Sequence, residues 1–125
     1  MATLREIVID CERAPALARF WASMLDGYDI RAYDDAEVER LAGLGLTPET
    51  DPMVALDGPG PTVFFQQVPE HKVVKNRVHL DVTTQDRRRE VDRLVALGAS
   101  VRQEHDGWTE MGDPEGNEFC VTERR

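Results

Sequence analysis

Hydrophobic and polar positions near the start of the chain predict a strand, a helix and a second strand. Residues 7–11 form a β-branched run, which favours a strand. Pro15 follows as the first helical residue, and apolar side chains then recur at positions i, i+3, i+4, i+7 and i+8: Leu17, Phe20, Trp21, Met24 and Leu25. This spacing predicts an amphipathic helix packed on a sheet, with Gly27 as its left-handed cap. Residues 30–33 are predicted to form the second strand.

The same order of elements recurs later in the chain at a constant offset. Residues 78–82 form a strand-like run, residues 84–86 a polar helix start, and residues 91–95 an apolar stripe. Asp10 maps onto Asp81 and Gly27 onto Gly98, and both pairs are separated by 71 positions. An offset that persists through a strand, a helix and a second strand predicts an internal repeat.

The ends of the two halves match at a different offset of 56 residues. Residues 57–60 and 113–116 both have the composition of tight hairpin turns, and each is followed by a β-rich segment, 63–65 or 119–121. The first half therefore carries an insertion at about residues 34–48, which begins like a capping box with Asp34 and Glu37. We predict one domain, 1–125, made of module 1 (1–70) and module 2 (75–125).

Two stretches of the chain carry a family resemblance. Residues 108–121, WTEMGDPEGNEFCV, and residues 68–81 resemble the vicinal oxygen chelate superfamily of glyoxalase I, bleomycin-resistance proteins and extradiol dioxygenases. Within it, they are most similar to the glyoxalase-like domain subgroup. The resemblance implies an α+β fold in which two βαβββ modules form an incomplete barrel around a cavity. It also implies a homodimer, because many relatives dimerise.

Composition and charge exclude several classes of partner. The net charge of −9 repels phosphate backbones and anionic lipid headgroups, so we expect neither nucleic-acid nor membrane partners. Apolar runs are at most four residues long, far short of the ~20 that a membrane span needs. Without a secretory signal, the protein is expected in the cytoplasm, with Cys11 and Cys120 as free thiols.

Strand alternation sorts the side chains of the implied fold between the helices and the cavity. Residues such as Ile7, Val78 and Phe65 are expected to face the helices. The opposite face of the first and last strands is expected to line the cavity with eleven residues: Glu6, Val8, Asp10, Phe64, Gln66, Arg77, His79, Asp81, Glu118, Cys120 and Thr122.

The resemblance also allows a test for the metal site of this superfamily. Metal-dependent members place one ligand on the first strand and one on the last strand of each module, which here implies Glu6, Phe64, Arg77 and Cys120. Phenylalanine and arginine cannot bind a divalent cation, so we predict that the usual site is lost and that no cofactor is required. A shifted divalent-metal site made of Glu6, His79 and Glu118 stays open as an alternative.

The remaining candidate residues each have a structural and a functional interpretation. His79 is either a satisfied imidazole or a ligand contact and general base oriented by Asp81. Arg77 either binds a ligand carboxylate or pairs with Glu6. Cys120 has no basic neighbour in the sequence to activate it and is expected to be an inert thiol. Aromatic side chains either fill the core or stack on a ligand, in particular Phe64 and Trp108.

The sequence therefore predicts a glyoxalase-like protein that binds a small organic molecule. The expected contacts come from Phe64, Gln66, Arg77, His79, Trp108 and Cys120. The alternative is an enzyme, a metal-dependent or acid/base lyase, isomerase or dioxygenase that acts on a small oxygenated substrate, with His79 as its catalytic residue. A ligand-free interaction module is a third interpretation.

Overall fold

A computed structural model describes residues 1–124 of the chain, which divides into two compact units. The first unit is Met1–His71 and the second begins at Lys72. Within residues 1–124, no helix is both long enough and apolar enough to cross a membrane.

The first unit is a four-stranded mixed sheet with two helices. Its elements follow the order β1 (Glu6–Cys11), α1 (Ala14–Met24), β2 (Asp29–Ile30), α2 (Asp35–Gly43), β3 (Met53–Asp57) and β4 (Thr62–Gln67). The strands lie in the order β1-β4-β3-β2, with β1 parallel to β4 and the other pairs antiparallel. Helix α2 lies within the extra residues 34–48, and the Asp34 side chain caps it by accepting a hydrogen bond from the Glu37 backbone N–H.

The second unit repeats this plan with one helix. Its elements are β5 (Leu80–Thr84), α3 (Arg87–Ala96), β6 (Ser100–Glu104), β7 (Trp108–Gly112) and β8 (Glu118–Glu123), with the strand order β5-β8-β7-β6. Strand β5 is parallel to β8, as β1 is to β4. The predicted α+β class with two related modules is therefore confirmed.

The core of each unit forms where the apolar helix face meets one face of the sheet. In the first unit Trp21 of α1 packs against Phe65 of β4, with 6.4 Å between the ring centroids. In the second unit Leu94 of α3 is buried together with Phe119 and Val121 of β8. Burial of such side chains contributes about 1.5–3 kcal/mol each. Because the helices cover only one face of each sheet, the side chains on the opposite face are available for function.

Both units end their first helix with the same contact between a glycine and a proline. Gly27 has a φ of +77° and Gly98 a φ of +115°, a backbone conformation that residues with a Cβ rarely adopt. A Cβ added to Gly27 would lie 3.4 Å from Pro59, and one added to Gly98 would lie 3.4 Å from Pro114. The predicted helix caps and hairpin turns therefore pack together in the same way in both units.

The first strand of the second unit begins two residues later than the sequence predicts. The Cys11 carbonyl accepts from Val68 N–H in the first unit, and the Thr84 carbonyl accepts from Arg124 N–H in the second. These equivalent bonds relate β1 to β5 by 73 residues rather than 71, so the predicted strand 78–82 is wrong in register. Val78 precedes β5 and is 78% exposed instead of facing α3.

The predicted second strand of the first unit is also shorter than expected. Strand β2 covers only Asp29–Ile30 rather than residues 30–33. Beyond it, Arg31 N–H still bonds the Ala55 carbonyl, and the Tyr33 hydroxyl donates to Asp51 at 2.7 Å. One backbone bond and one side-chain bond therefore hold this segment where the sequence predicted a strand.

Candidate functional site

An open pocket of about 850 Å³ lies on the second unit, on the sheet face opposite α3. We call it the second-unit pocket. Most of its side chains come from β5, β7, β8 and the turn between β6 and β7. Alternate residues of each strand point to the same face, so every second residue can line the pocket. Its lining includes Lys75, His79, Asp81, His105, Trp108, Glu110 and Cys120.

Three different donor side chains converge in the second-unit pocket. Asp81 lies opposite Cys120 across the β5–β8 pairing, and His79 lies just before β5 on the same side. His79 Nε2 is 3.5 Å from Asp81 Oδ1. One ligand atom from each of His79, Asp81 and Cys120 lies within 4.8 Å of the other two. The sequence predicted His79 and Cys120 as separate ligand contacts, and the register of β5 brings the two side chains together.

The Cys120 thiol is buried and protonated at neutral pH. Its residue is 8% exposed, and burial raises the thiol pKa above its usual range. The Asp81 and Glu110 carboxylates raise this pKa further, because a thiolate beside them would meet like charge, whereas Lys75 lowers it. A free thiol held in its protonated form is a weak nucleophile, so covalent catalysis at Cys120 has no support here.

An aromatic pair forms one wall of the second-unit pocket. The rings of His105 and Trp108 stack with 4.4 Å between centroids and 9° between planes. The turn is closed by His105 N–H, which donates to the Trp108 carbonyl, and Gly107 between them has a φ of +94°. Trp108 is 40% exposed, so its ring presents an apolar surface to solvent. The sequence identified Trp108 but not His105, although the residues HDGW between two strands are typical of a tight turn.

Glu118 is held in a clamp outside the donor cluster. Its buried carboxylate accepts from Lys72 Nζ at 3.1 Å and from the Asn76 backbone N–H at 2.9 Å. Burial would raise the Glu118 pKa, but the backbone and Lys72 hydrogen bonds outweigh it and lower the pKa to about 2. This clamp anchors the segment before β5, and so it helps to position Lys75 and His79.

The first unit carries its own pocket of about 570 Å³, which we call the first-unit pocket. The Arg31 guanidinium carbon lies 5.5 Å from the centroid of the Phe64 ring, and Asp57 holds Arg31 through two hydrogen bonds of 2.8 Å. Burial, followed by the hydrogen bond to Asp51, raises the pKa of the Tyr33 hydroxyl. The sequence did not nominate Arg31 or Tyr33, since their contacts come from distant parts of the chain.

The other residues predicted from the sequence are not members of the donor cluster. Glu6 of β1 lies in the first unit, 3.8 Å from Arg5, and Gln66 is exposed on β4. Arg77 is exposed in the bend before β5 and does not line the second-unit pocket. Phe64 lines the first-unit pocket, whereas His79, Trp108 and Cys120 line the second-unit pocket.

Comparison with known proteins identifies the family of this chain. The model of the family described as "Glyoxalase-like domain" matches residues 6–122. The chain belongs to the glyoxalase-like domain family. This family and the structural neighbours below confirm the predicted resemblance to the vicinal oxygen chelate superfamily. No match is found among curated proteins.

Three solved structures are similar to this glyoxalase-like domain in fold. The fosfomycin resistance protein FosX from Mesorhizobium loti has a TM-score of 0.68 at 14% identity, and the alignment covers 98% of this chain and 91% of FosX. A glyoxalase/bleomycin resistance protein/dioxygenase family enzyme from Burkholderia phytofirmans has a TM-score of 0.64 at 17% identity, with 98% of both chains covered. At these identities the likeness establishes the fold only.

The third neighbour was solved with ligands. It is a mutant of FosX from Listeria monocytogenes complexed with Mn(II) and a dihydroxypropylphosphonic acid. Its TM-score is 0.65 at 11% identity, and the alignment covers 98% of this glyoxalase-like domain and 90% of that chain.

The observed register changes which residue of the glyoxalase-like domain is equivalent to Glu6. Glu6 of β1 is aligned with Thr62 of β4, and the corresponding position in the second unit is His79, not Arg77. The side chains at the four implied ligand positions are therefore Glu6, Phe64, His79 and Cys120. Imidazole nitrogen, thiolate sulfur and the nearby Asp81 carboxylate are all ligands for a divalent cation, so the donor set in the second unit fits a metal.

Proposed function

We propose that this protein binds a small organic molecule in the second-unit pocket. The observation that carries the proposal is the convergence of His79, Asp81 and Cys120 beside the stacked rings of His105 and Trp108. A few polar groups that converge next to an apolar wall are typical of small-molecule sites. The aromatic wall would contact an apolar or planar part of the ligand, and His79 would bind its polar group.

The structural neighbours support a small organic molecule as the ligand. The Listeria FosX neighbour binds a phosphonic acid of three carbon atoms, and other neighbours carry names of drug-resistance proteins. We also propose a homodimer, as the resemblance to the vicinal oxygen chelate superfamily implies, and sedimentation analysis would distinguish it from a monomer.

Substitution of His79 by alanine is expected to remove most of the stabilisation by ligands. A metabolite and antibiotic library is screened by thermal shift against metal-free wild-type protein, and hits are then measured on His79→Ala. A hit present at 100 times its Kd stabilises the wild type by about 2.7 kcal/mol, and we expect this gain to fall below about 1 kcal/mol in the variant.

The matched control is His71→Ala, because His71 is an exposed histidine of the first unit that pairs with Glu12 at 2.6 Å. This variant is expected to keep the full ligand response. Equal stabilisation of His79→Ala and the wild type by every hit would contradict the proposed site.

A second candidate function is a metal-assisted lyase, isomerase or dioxygenase. It is favoured by the distance of at most 4.8 Å between the donor atoms of His79, Asp81 and Cys120. These three residues would hold the cation, which when bound would polarise an oxygen of the substrate. Trp108 and His105 would bind and orient the rest of the substrate, and the apolar ring surface would exclude water from one side of it.

Elemental analysis of protein purified without chelator separates the two candidates. We expect about one divalent metal ion per chain if the second candidate is correct, together with a rise in Tm on adding the same metal to chelator-treated protein. Absence of bound metal, with no change in Tm on adding Zn(II), Ni(II), Mn(II) or Fe(II), would eliminate the metal-assisted enzyme and leave the metal-free binding protein.

A further inference from the structure

We propose that the second-unit pocket selects a thiophilic divalent cation such as zinc over the hard cations manganese and magnesium, because Cys120 contributes a sulfur donor. This inference rests on the second candidate function above. It concerns the choice of metal, which follows from the chemistry of the three side chains.

The spacing of the donors is close to that of a tetrahedral zinc site. Zinc bonds of about 2.0–2.3 Å place neighbouring donor atoms roughly 3.3–3.8 Å apart. His79 Nε2 and Asp81 Oδ1 already lie 3.5 Å apart, and the whole set lies within 4.8 Å. Small side-chain rotations therefore bring the donor atoms to coordination distance.

The three residues differ in burial in a way that allows such rotations. Cys120 is 8% exposed and belongs to β8, which is paired on both sides, so the position of its sulfur is determined by the sheet. The side chains of His79 and Asp81 are 47% and 61% exposed. Their exposure leaves room for them to turn toward a cation bound to the Cys120 sulfur. Three protein donors leave a fourth position open toward the pocket, as in catalytic rather than structural zinc sites.

The donor types decide the selectivity. Manganese and magnesium prefer about six oxygen ligands, and this cluster supplies one carboxylate. Thiolate and imidazole together suit zinc and cobalt, and a cation that binds Cys120 would displace the proton of its thiol to solvent. Lys75 lines the same pocket, and its positive charge disfavours binding of any cation. Glu110 beside Cys120 favours cation binding. Because both effects depend on charge alone, they shift the affinity for all divalent cations alike.

Cobalt titration tests the sulfur ligand directly. Chelator-treated full-length protein is titrated with Co(II), and the thiolate-to-cobalt absorption is recorded for the wild type, Cys120→Ser and Cys11→Ser. Cys11 is the matched control, because it is also a buried cysteine but lies in the first unit. We expect the absorption in the wild type and in Cys11→Ser, and its loss in Cys120→Ser.

Competition then measures the selectivity. Zinc is expected to displace cobalt at stoichiometric amounts, while manganese leaves the absorption unchanged at about a hundredfold excess. Where Cys120→Ser fails to fold, His79→Ala replaces it, since His79 lies outside the core, and a loss of at least about tenfold in zinc affinity is expected.

Three results would overturn this inference. The first is a thiolate absorption that persists in Cys120→Ser, and the second is displacement of cobalt by stoichiometric manganese. Both leave the metal-assisted function in place with another metal or ligand set. The third is absence of any metal binding, which eliminates the metal-assisted function as well, whereas the library screen on metal-free protein decides the small-molecule proposal separately.

Discussion

Replacement of Phe65 by alanine is expected to lower the free energy of unfolding by about 3–5 kcal/mol. Phe65 is fully buried on β4, an interior strand between β1 and β3, and its ring packs on Trp21. The side chain is too large for the surrounding residues to fill the cavity after truncation. Since small domains are stable by about 5–15 kcal/mol, this one change removes a large part of the total.

The neighbouring residue provides the matched control for this experiment. Phe64 lies on the opposite face of the same strand, is half-buried and contacts the Arg31 guanidinium. We expect Phe64→Ala to cost about 1 kcal/mol or less, mainly through the lost cation–π contact. Urea unfolding of both variants measures the difference. Equal destabilisation would show that the two faces of β4 are not divided into core and pocket as described.

Loss of the Glu118 carboxylate is expected to remove about 3 kcal/mol of stability at neutral pH. The Glu118 pKa is about 2 in the folded chain and 4.5 for an ordinary glutamate. A carboxyl whose pKa is lowered by folding stabilises the protein above its unfolded pKa, and this contribution disappears as the pH falls toward the folded pKa. The wild type should therefore lose this stability between about pH 5 and pH 2.

The variant Glu118→Gln tests this pH dependence. It keeps the shape of the side chain but cannot pair with the charge of Lys72, so its stability should depend less on pH over the same range. Glu39→Gln is the control, because Glu39 is an exposed residue of α2 in the first unit. Denaturant unfolding between pH 2 and pH 7 measures the slopes. Identical slopes for Glu118→Gln and the control would contradict the role given to the clamp.

Several parts of the fold could be predicted because they depend on local pattern. The apolar stripe of α1 marks the face that packs on the sheet, and the alternation of Phe64 and Phe65 marks the two faces of β4. Gly27 and Gly98 mark the helix ends, since each has a φ that favours glycine. Each of these features depends on residues only a few positions apart.

The candidate site was predicted only in part, because it depends on contacts between distant residues. The offset of 71 is correct for the two glycines but misses β5 by two residues, so the sequence placed Arg77 where the structure has His79. The clamp between Lys72 and Glu118 joins residues that are far apart in the chain and helps to hold the segment before β5. Neither the clamp nor the stacking of His105 has a periodic signal.

Hydrophobic periodicity was enough to predict the two related modules and the faces of most helices and strands, because it is set by helix and strand geometry, while the family resemblance implied the α+β class. The sequence also pointed to His79 and Cys120 as separate candidates. The register of β5 against β8, and with it the meeting of His79, Asp81 and Cys120, could be read only from the folded chain. The physical reason is that register depends on hydrogen bonds and side-chain contacts between distant segments, whereas periodicity is a local property.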